Sequence, residues 1–541
     1  MGEHEESGKE GESLALKTSA TSSSTDLADA SKNESDAKST PFQLGMLFFG
    51  LALSVFMAAL DITIVAVATP SIITDFKTFS GLSWVGTAYL LSSTPFFPTY
   101  GKLADIFGRK PILLSAILIF EAGSLMCGLA PNMAILIAGR AVSGLGGGAL
   151  LPLAYIVVSD VVPLRERPKY MSIFAAAFGI ACIAGPLLGG AFTDRVSWRW
   201  CFLINLPVGA LTALVVIFYL GLPIPHGDIR NKLGKIDYLG TLFIATATVL
   251  LASALSLGGV EYAWSSAAII SMFVLSFACA VLFVASQLKF SKNPLISADL
   301  WGNRALIPVW LCGILQGALF FSLTYYVPIY FQVVNGDKAV AAGVHTLPLI
   351  LGHILLTFAG GIAISSTGYT APIVYLSACC FIVGAALTST LTSDSGLDKQ
   401  YGYLVLLGMG SGLASQSINL NGQSVVAPPR LAVMISSYSF CQALGGILGI
   451  AVDGSVLTNA LSSRLIQLID SETLLEYVTN HPSEIRDAGK VPVSLVQPVV
   501  DAYTASLSLV FKAAAATAGA FLVTSLFLRR DRMKGARRGK A

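Results

Sequence analysis

Four charged side chains stand inside stretches that otherwise carry none: Asp61 in "LDITIVAVATP", Glu121 in "FEAGSLMCG", Arg140 at the head of "RAVSGLGGG" and Asp453 in "VDGS". A carboxyl in such surroundings can take up and release a proton. A guanidinium stays protonated and can hold the anionic form of an acid. Ionisable groups in apolar spans are costly, so their default reading is functional. Asp61, flanked by Thr63, reads as a titrating group or as a structural hydrogen-bonding aspartate near a helix end. Arg140 reads as its coupling partner or as structural pairing, and Glu121 as a second proton site or a helix-packing hydrogen bond. Asp453 reads as a substrate contact or a residue at the lip of a span, and His353 as a titrating group or a polar helix contact. All of this chemistry moves protons. Bond-making chemistry lacks its parts: the chain has no paired catalytic carboxylates, nucleophile–base set or Walker A loop. "GLGGGA" mimics a dinucleotide fingerprint but has no preceding strand and no acidic residue about 20 positions on. The 8 cysteines, with Cys379 and Cys380 adjacent, lack metal-ligand spacing and read as small buried hydrophobes. No cofactor or metal is expected.

The elements that position these groups must be membrane helices. Of 541 residues, 54% are hydrophobic and 12% charged, with a mean hydropathy of +0.72. Soluble domains carry roughly 25% charged residues, so burying this much apolar side chain needs a bilayer. A net charge of +3 is too small to argue for nucleic acid. A crossing helix needs about 20 mostly apolar residues. Fourteen stretches qualify, near 44–72, 83–103, 111–130, 133–159, 170–192, 200–222, 238–258, 266–287, 305–333, 342–365, 371–392, 401–425, 432–458 and 505–527. The expected fold class is an all-α integral membrane protein with both termini on one side. Basic residues such as Lys102, Arg165, Arg167, Lys235, Arg304 and Arg430, with those after Arg529, crowd the loops and tail of that side. Basic loops face the cytoplasm, so both termini are expected there, and the sequon Asn33-Glu34-Ser35 is expected to stay unglycosylated. Residues 1–43 read as a disordered polar tail with no charged-then-apolar leader, and 528–541 as a basic tail. Residues 460–503 are expected to form a loosely ordered outer loop with one short amphipathic helix.

One loop stands out. "GKLADIFGRK" sets Lys102, Asp105, Arg109 and Lys110 between two apolar runs, with Gly101 and Gly108 seven residues apart. Residues 361–370, "GIAISSTGYT", keep that spacing with Gly361 and Gly368 but lose the charges. "GLGGG" (144–148) has a similar counterpart in "GMGSG" (408–412). Parallel repeats of this kind describe the two halves of major facilitator transporters. The expected division is a six-helix bundle over 44–222, two extra helices with linkers over 223–304, and a second bundle over 305–527.

"GKLADIFGRK" resembles the loop 2–3 signature of the major facilitator superfamily. The resemblance implies a cytoplasmic latch of Gly101, Asp105, Gly108, Arg109 and Lys110 that favours the outward-open state; the plainer reading is a topology anchor. The stretch around Asp61 resembles the first-helix motif of the fourteen-spanner drug:proton antiporters, with Ala66 and Thr69 departing from it. "RAVSGLGGG" resembles their fourth-helix motif, with Ser143 in place of Gln. "GIACIAGPLLGG", with Gly179, Gly185, Pro186, Gly189 and Gly190, resembles the antiporter signature, which in the family marks exporters; ordinary glycine packing is the alternative. The resemblance covers about 44–530. It implies proton-coupled efflux of a small organic molecule, such as a toxin, secondary metabolite or antifungal, by alternating access. Proton coupling would rest on Asp61, Arg140 and Glu121. Gln316, Tyr325, Gln416, Asn419 and Gln442 are candidate cavity residues, and amides with aromatics suit a neutral or weakly amphipathic molecule. The expected partners are that molecule, protons and lipid, for a monomer in the plasma membrane or alternatively the vacuolar one. The long Ser-rich tail suits a fungal source. A vacuolar basic amino acid importer or a siderophore exporter shares this architecture, and a non-transporting receptor or scaffold is the reading from another class.

Overall fold

The computed structural model describes residues 41–533, apart from 77–81, 226, 260–261, 470, 481–484 and 487–489. The sequon, the tail before residue 41 and the basic residues beyond 533 lie outside the described residues. The chain divides into Met1–Phe49, whose described residues are helical, and Gly50–Ala541, which holds everything that follows. The described residues are helical throughout, apart from connecting loops and a single β-bridge between Gly258 and Tyr262.

The long helices are α1 (Pro41–Phe76), α2 (Leu82–Ser93), α3 (Phe97–Phe107), α4 (Arg109–Gly128), α5 (Met133–Val161), α6 (Arg167–Arg195) and α7 (Asn205–Tyr219). The central pair is α8 (Tyr238–Leu257) and α9 (Ala267–Ala285). The later helices are α10 (Leu306–Tyr330), α11 (Leu347–Thr367), α12 (Ala371–Thr388), α13 (Leu397–Ser424), α14 (Leu431–Leu465), α15 (Glu472–Asn480) and α16 (Val493–Ser525). Helix is the form that satisfies backbone polar groups within one segment, which a bilayer demands. Side-chain caps start several of them: Asn132 accepts from the Ile135 N–H at 2.9 Å, and Asp237 from Gly240 at 2.9 Å.

Among the described residues, 12 helical stretches are long and apolar enough to cross a membrane. Two of the fourteen expected spans are not among them, for different reasons. The second is split: a 3-10 turn at Thr94–Phe96, with Pro95 and Pro98 in sequence, separates α2 and α3, of 12 and 11 residues. The twelfth is 28 residues long but carries Gln416, Asn419, Asn421 and Gln423 in its interior, all buried.

The two repeats fold alike. In α5, Cβ atoms at Gly144 and Gly148 would run into α2 at Tyr89 and Ser93, and one at Gly146 into α4 at Phe120. In α13, Cβ atoms at Gly408 and Gly412 would run into α11 at Leu349 and His353, and one at Gly410 into α12 at Phe381. Small residues on alternate faces therefore let each of these helices wedge between two neighbours. Gly108 and Gly368 both end their helices at positive φ, +100° and +80°, a region that glycine enters without a Cβ clash.

The described residues of 460–503 are better packed than their sequence suggests. Leu461, Leu465, Ile469, Val478, Val491, Val499 and Tyr503 form a buried cluster with Val333. The Tyr503 hydroxyl donates to the Val478 carbonyl at 2.9 Å, and Arg486 donates to the Val334 carbonyl at 2.6 Å. The expectation of a loosely ordered loop is corrected here. Its apolar residues are too scattered to form a long run; the short amphipathic helix expected there is α15, whose Val478 joins this cluster.

Candidate functional site

Asp61 lies within α1 and Arg140 within α5, and both side chains are buried, at 0% and 2% exposure. Their Oδ2 and Nη1 atoms stand 2.6 Å apart. Further bonds hold both groups: Asn205 at the start of α7 donates to Asp61 Oδ1 at 3.2 Å, and Arg140 Nε donates to the Val85 carbonyl at 2.9 Å. The guanidinium carbon sits 4.6 Å from the centre of the Tyr89 ring. A buried ion pair survives desolvation only with such added bonds. Asn205 also donates to Ser124 Oγ at 3.2 Å, which ties α1, α4 and α7 to one point. Glu121 lies on α4 one turn from Ser124, and neither of its carboxyl oxygens has a hydrogen-bond partner.

The charged loop places its groups within the first repeat. Arg109 bonds Asp105 at 2.9 Å and Asp160 of α5 at 2.6 Å, and Lys110 donates to the Ile217 carbonyl at 2.6 Å. None of these bonds crosses to the second repeat. The crossing is made by Gly101, where a Cβ would strike Ser436 and lie 2.8 Å from the Ala432 carbonyl oxygen of α14. The second copy does the converse: a Cβ at Gly361 would lie 2.7 Å from Ser172 Oγ and 2.9 Å from the Pro168 oxygen of α6.

Two arginines bolt the same end shut. Arg165 donates to the carbonyls of Ser365 and Ser366 at 3.0 and 2.8 Å. Arg167, buried, donates to Gln423 Oε1 at 2.7 Å and to the Ser159 carbonyl at 2.6 Å, and Gln423 in turn donates to Asn419 at 3.0 Å. Sequence reasoning used these arginines only to orient the chain, read Gln423 with the cavity amides, and passed over Asn205 and Ser124. The one available signal was that Asn205 falls four residues before Gly209, on the same helix face.

The antiporter-like stretch runs through α6 without a break at Pro186. A Cβ at Gly179 would overlap Ile354 of α11, and one at Gly185 would overlap Thr63, whose hydroxyl also reaches the Ala181 carbonyl at 3.2 Å. The Gly189 carbonyl faces Cys201 Sγ at 4.0 Å, while nothing lies within 4 Å of a Cβ at Gly190.

In the second repeat the polar interior is made of amides. Gln442 donates to Gln316 Oε1 at 2.7 Å. Gln316 Nε2 and both amide atoms of Gln416 are buried without a partner. Tyr438 joins their helices: it lies over Gly313 of α10 and its hydroxyl donates to the Ser415 carbonyl at 3.1 Å. Asn419 is engaged by Gln423 at the closed end, and Tyr325 is 54% exposed, apart from the amides. Asp453 is buried and bonded to the Ser322 hydroxyl, and His353 Nδ1 meets Ser411 Oγ at 2.9 Å. Among the described residues no group of His, Cys, Asp and Glu could hold a metal ion.

The sequence pattern of the Major Facilitator Superfamily matches residues 51–450. The chain is 34% identical over 503 residues to the MFS-type efflux pump MFS1 of Trichophyton rubrum, covering 92% of this chain and 93% of that one. It is 35% identical over 492 residues to the efflux pump aflT of Aspergillus parasiticus, covering 89% and 94%. Over 417 residues it is 36% identical to the efflux pump roqT of Penicillium rubens, covering 76% and 77%. The crystal structure of the human organic anion transporter MFSD10 superposes with a TM-score of 0.57 at 14% identity, over 87% of this chain and 99% of that one. At that identity the likeness concerns the fold alone.

Proposed function

The chain belongs to the Major Facilitator Superfamily, a family of transporters rather than enzymes, and we propose that it exports a neutral, oxygen- or nitrogen-bearing organic molecule in exchange for protons. The observation that carries this reading is the buried Asp61–Arg140 pair. Arg140 keeps its charge. A proton arriving on Asp61 therefore leaves a buried cation unpaired, at a cost of several kcal/mol, which pulls α5 away from α1 and Asn205. Export is supported by the names of the relatives, each an efflux pump. A small organic cargo of neutral character is supported by the amides Gln316, Gln416 and Gln442, whose unpartnered atoms offer donors and an acceptor without charge.

The same reading has fourteen spans, with α2–α3 and α13 joining the 12 apolar stretches, and both termini in the cytoplasm. The end closed by Gly101, Arg165, Arg167 and Gly361 is then the cytoplasmic end, and the arrangement is outward-facing. Asp105, Arg109 and Asp160 brace the loop that carries Gly101. The protein acts as a monomer in the plasma membrane, without a cofactor, using the proton gradient rather than ATP. A second reading, import of a basic amino acid into the vacuole, has Asp453 in its favour, a buried carboxylate that accepts from the Ser322 hydroxyl.

The test compares small molecules inside and outside cells with the wild type, no transporter, or Asp61→Asn, with and without a collapsed proton gradient. Export predicts one compound retained in the null strain, in Asp61→Asn and after collapse. Import predicts a basic amino acid lost from the vacuole instead. Unchanged partition of every compound would remove both.

A further inference from the structure

Glu121 is placed like a working group and bonded like none. It sits on α4, three residues before Ser124, and both its carboxyl oxygens are covered yet have no donor. The slot that holds it is cut by glycine: a Cβ at Gly209 of α7 would collide with Glu121 Oε1 and lie 2.5 Å from its carboxyl carbon. Gly209 is one turn from Asn205, the residue that bonds both Asp61 and Ser124. The carboxyl thus lies against the same two helices, α4 and α7, that meet at the ion pair.

Its direction from Asp61 is fixed by the helices. Lys110 bonds the Ile217 carbonyl, so the start of α4 and the end of α7 lie together at the closed end. Glu121 precedes Ser124 on α4, and Gly209 follows Asn205 on α7. Both displacements run toward the closed end, by about 4.5–6 Å at 1.5 Å per residue. The ionisable groups facing this region are Asp61 from α1, Arg140 from α5, Tyr89 from α2 and Cys127 from α4 itself; α7 contributes Asn205 and no charge. Arg140 is already committed to Asp61, Val85 and Tyr89. A carboxylate covered from water with neither donor nor free cation would bear the full cost of desolvation, so Glu121 is neutral in this arrangement.

We propose that Glu121 is a second proton-carrying site, one turn to the closed-end side of Asp61, filled while the Asp61–Arg140 pair is formed. This rests on the reading of Asp61 as a proton site. When Asp61 gains a proton and releases Arg140, the contacts of Asn205 with Asp61 and Ser124 loosen, the seam between α4 and α7 admits water, and Glu121 gives its proton to that water. The two carboxyls then alternate, one ionised while the other is protonated, and the proton advances toward the cytoplasm in two steps. Gly209 is required because any side chain there would occupy the carboxyl's place.

An infrared pH titration of the purified full-length protein in lipid tests this with the proton as its only probe. A protonated buried carboxyl gives a carbonyl band separate from those of carboxylates. The wild type should show two titrating bands besides any from the buried Asp453, which Asp453→Asn identifies. One is lost in Asp61→Asn and the other in Glu121→Gln, and each midpoint moves when the other carboxyl is neutralised. Glu121→Asp should restore a titrating band, which separates a proton site from mere packing if Glu121→Gln folds poorly. A Glu121 band that persists at every pH, or no band lost in Glu121→Gln, overturns the proposal. If instead Asp61→Asn removes no band while Glu121→Gln does, it is the Asp61 reading that fails.

Discussion

The two repeats share a backbone plan and differ in what they bury. The first holds an aspartate, a glutamate and an arginine in its interior, with Asn205 and Ser124 as the neutral groups that bind them together. The second holds mainly amides, with Gln316 bonded to Gln442 and Gln416 left open, and its ionisable groups Asp453 and His353 each meet a serine hydroxyl rather than an opposite charge. The same divergence runs through the loops. Residues 101–110 are held by Arg109 on two carboxylates, while residues 361–370 are held by donors to main-chain carbonyls, from Arg165 to Ser365 and Ser366 and from Arg532 to Thr367 at 2.9 Å. The buried ion pair belongs to the first repeat, and the neutral amide atoms left open belong to the second. Under the proposed exchange of protons for cargo, that separation would leave the cargo's amide partners unchanged when the proton moves.

The comparison breaks first at the ion pair. Arg140→Leu strands a buried carboxylate, and such losses cost about 3–5 kcal/mol. Gln442→Leu removes one neutral hydrogen bond, worth about 1 kcal/mol. Thermal unfolding of the two variants should therefore differ clearly, with Arg140→Leu the less stable and partly rescued by Asp61→Asn; equal losses would refute the division of labour. Next comes the closed end. Arg167→Ala removes a charged donor from Gln423, worth about 1.5–3 kcal/mol, and a double-mutant cycle with Gln423→Ala should return most of it as coupling.

The glycine contacts test the symmetry itself. Gly101→Ala and Gly361→Ala overpack sites of matching geometry, each costing about 1–3 kcal/mol. Both should raise the labelling of cysteines introduced near the closed end, and Gly101→Ala the more, since a Cβ there collides with the Ser436 hydroxyl whereas one at Gly361 stays 2.7 Å from that of Ser172. Labelling in one variant alone would mean that one repeat carries the gate. The smallest effect lies at the opposite end. Arg199 donates to Asp75 at 2.8 Å and Trp198 at 3.0 Å. The bond from Arg199, then that from Trp198, holds the Asp75 carboxyl below its ordinary value. A lowered carboxyl stabilises the fold above the ordinary aspartate range, near pH 4, and that contribution fades as pH falls through the folded value. The pair is exposed, so the effect is about 0–1 kcal/mol. The difference in melting temperature between wild type and Arg199→Ala should shrink in acid. Its counterpart in the second repeat, Arg486 on the carbonyls of Val333 and Val334, has no acid partner in those bonds, so Arg486→Ala should show no such trend.

How much of this could be read from the sequence follows from which interactions leave a local trace. Apolar runs, glycine spacing and the 101–110 echo are local, and they announced the helices, the repeat and the family. The isolated Asp61 and Arg140 stood out because charge in an apolar run is rare, although 79 residues separate them. Arg165 and Arg167 did not stand out. Their acceptors lie about 200 and 256 residues away and are carbonyls or an amide, which a sequence does not mark as partners. The packing of the described residues in 460–503 left no local trace because a cluster assembled from Val333, Leu461, Val478 and Val499 needs contacts from four separate segments. The span in α13 read as membrane helix by its flanks, while the buried amides lower its apolar character below that of its neighbours.

The use of main-chain oxygens at residues 365 and 366 has a consequence for inheritance. Every amino acid supplies the same carbonyl, so substitutions at Ser365 and Ser366 leave the acceptors of Arg165 in place. Genetic variation on that face is therefore nearly silent, whereas a single codon change at Arg165 removes both bonds at once. Selection on this contact falls on one partner only, and drift can rewrite the surface of the other without opening the gate.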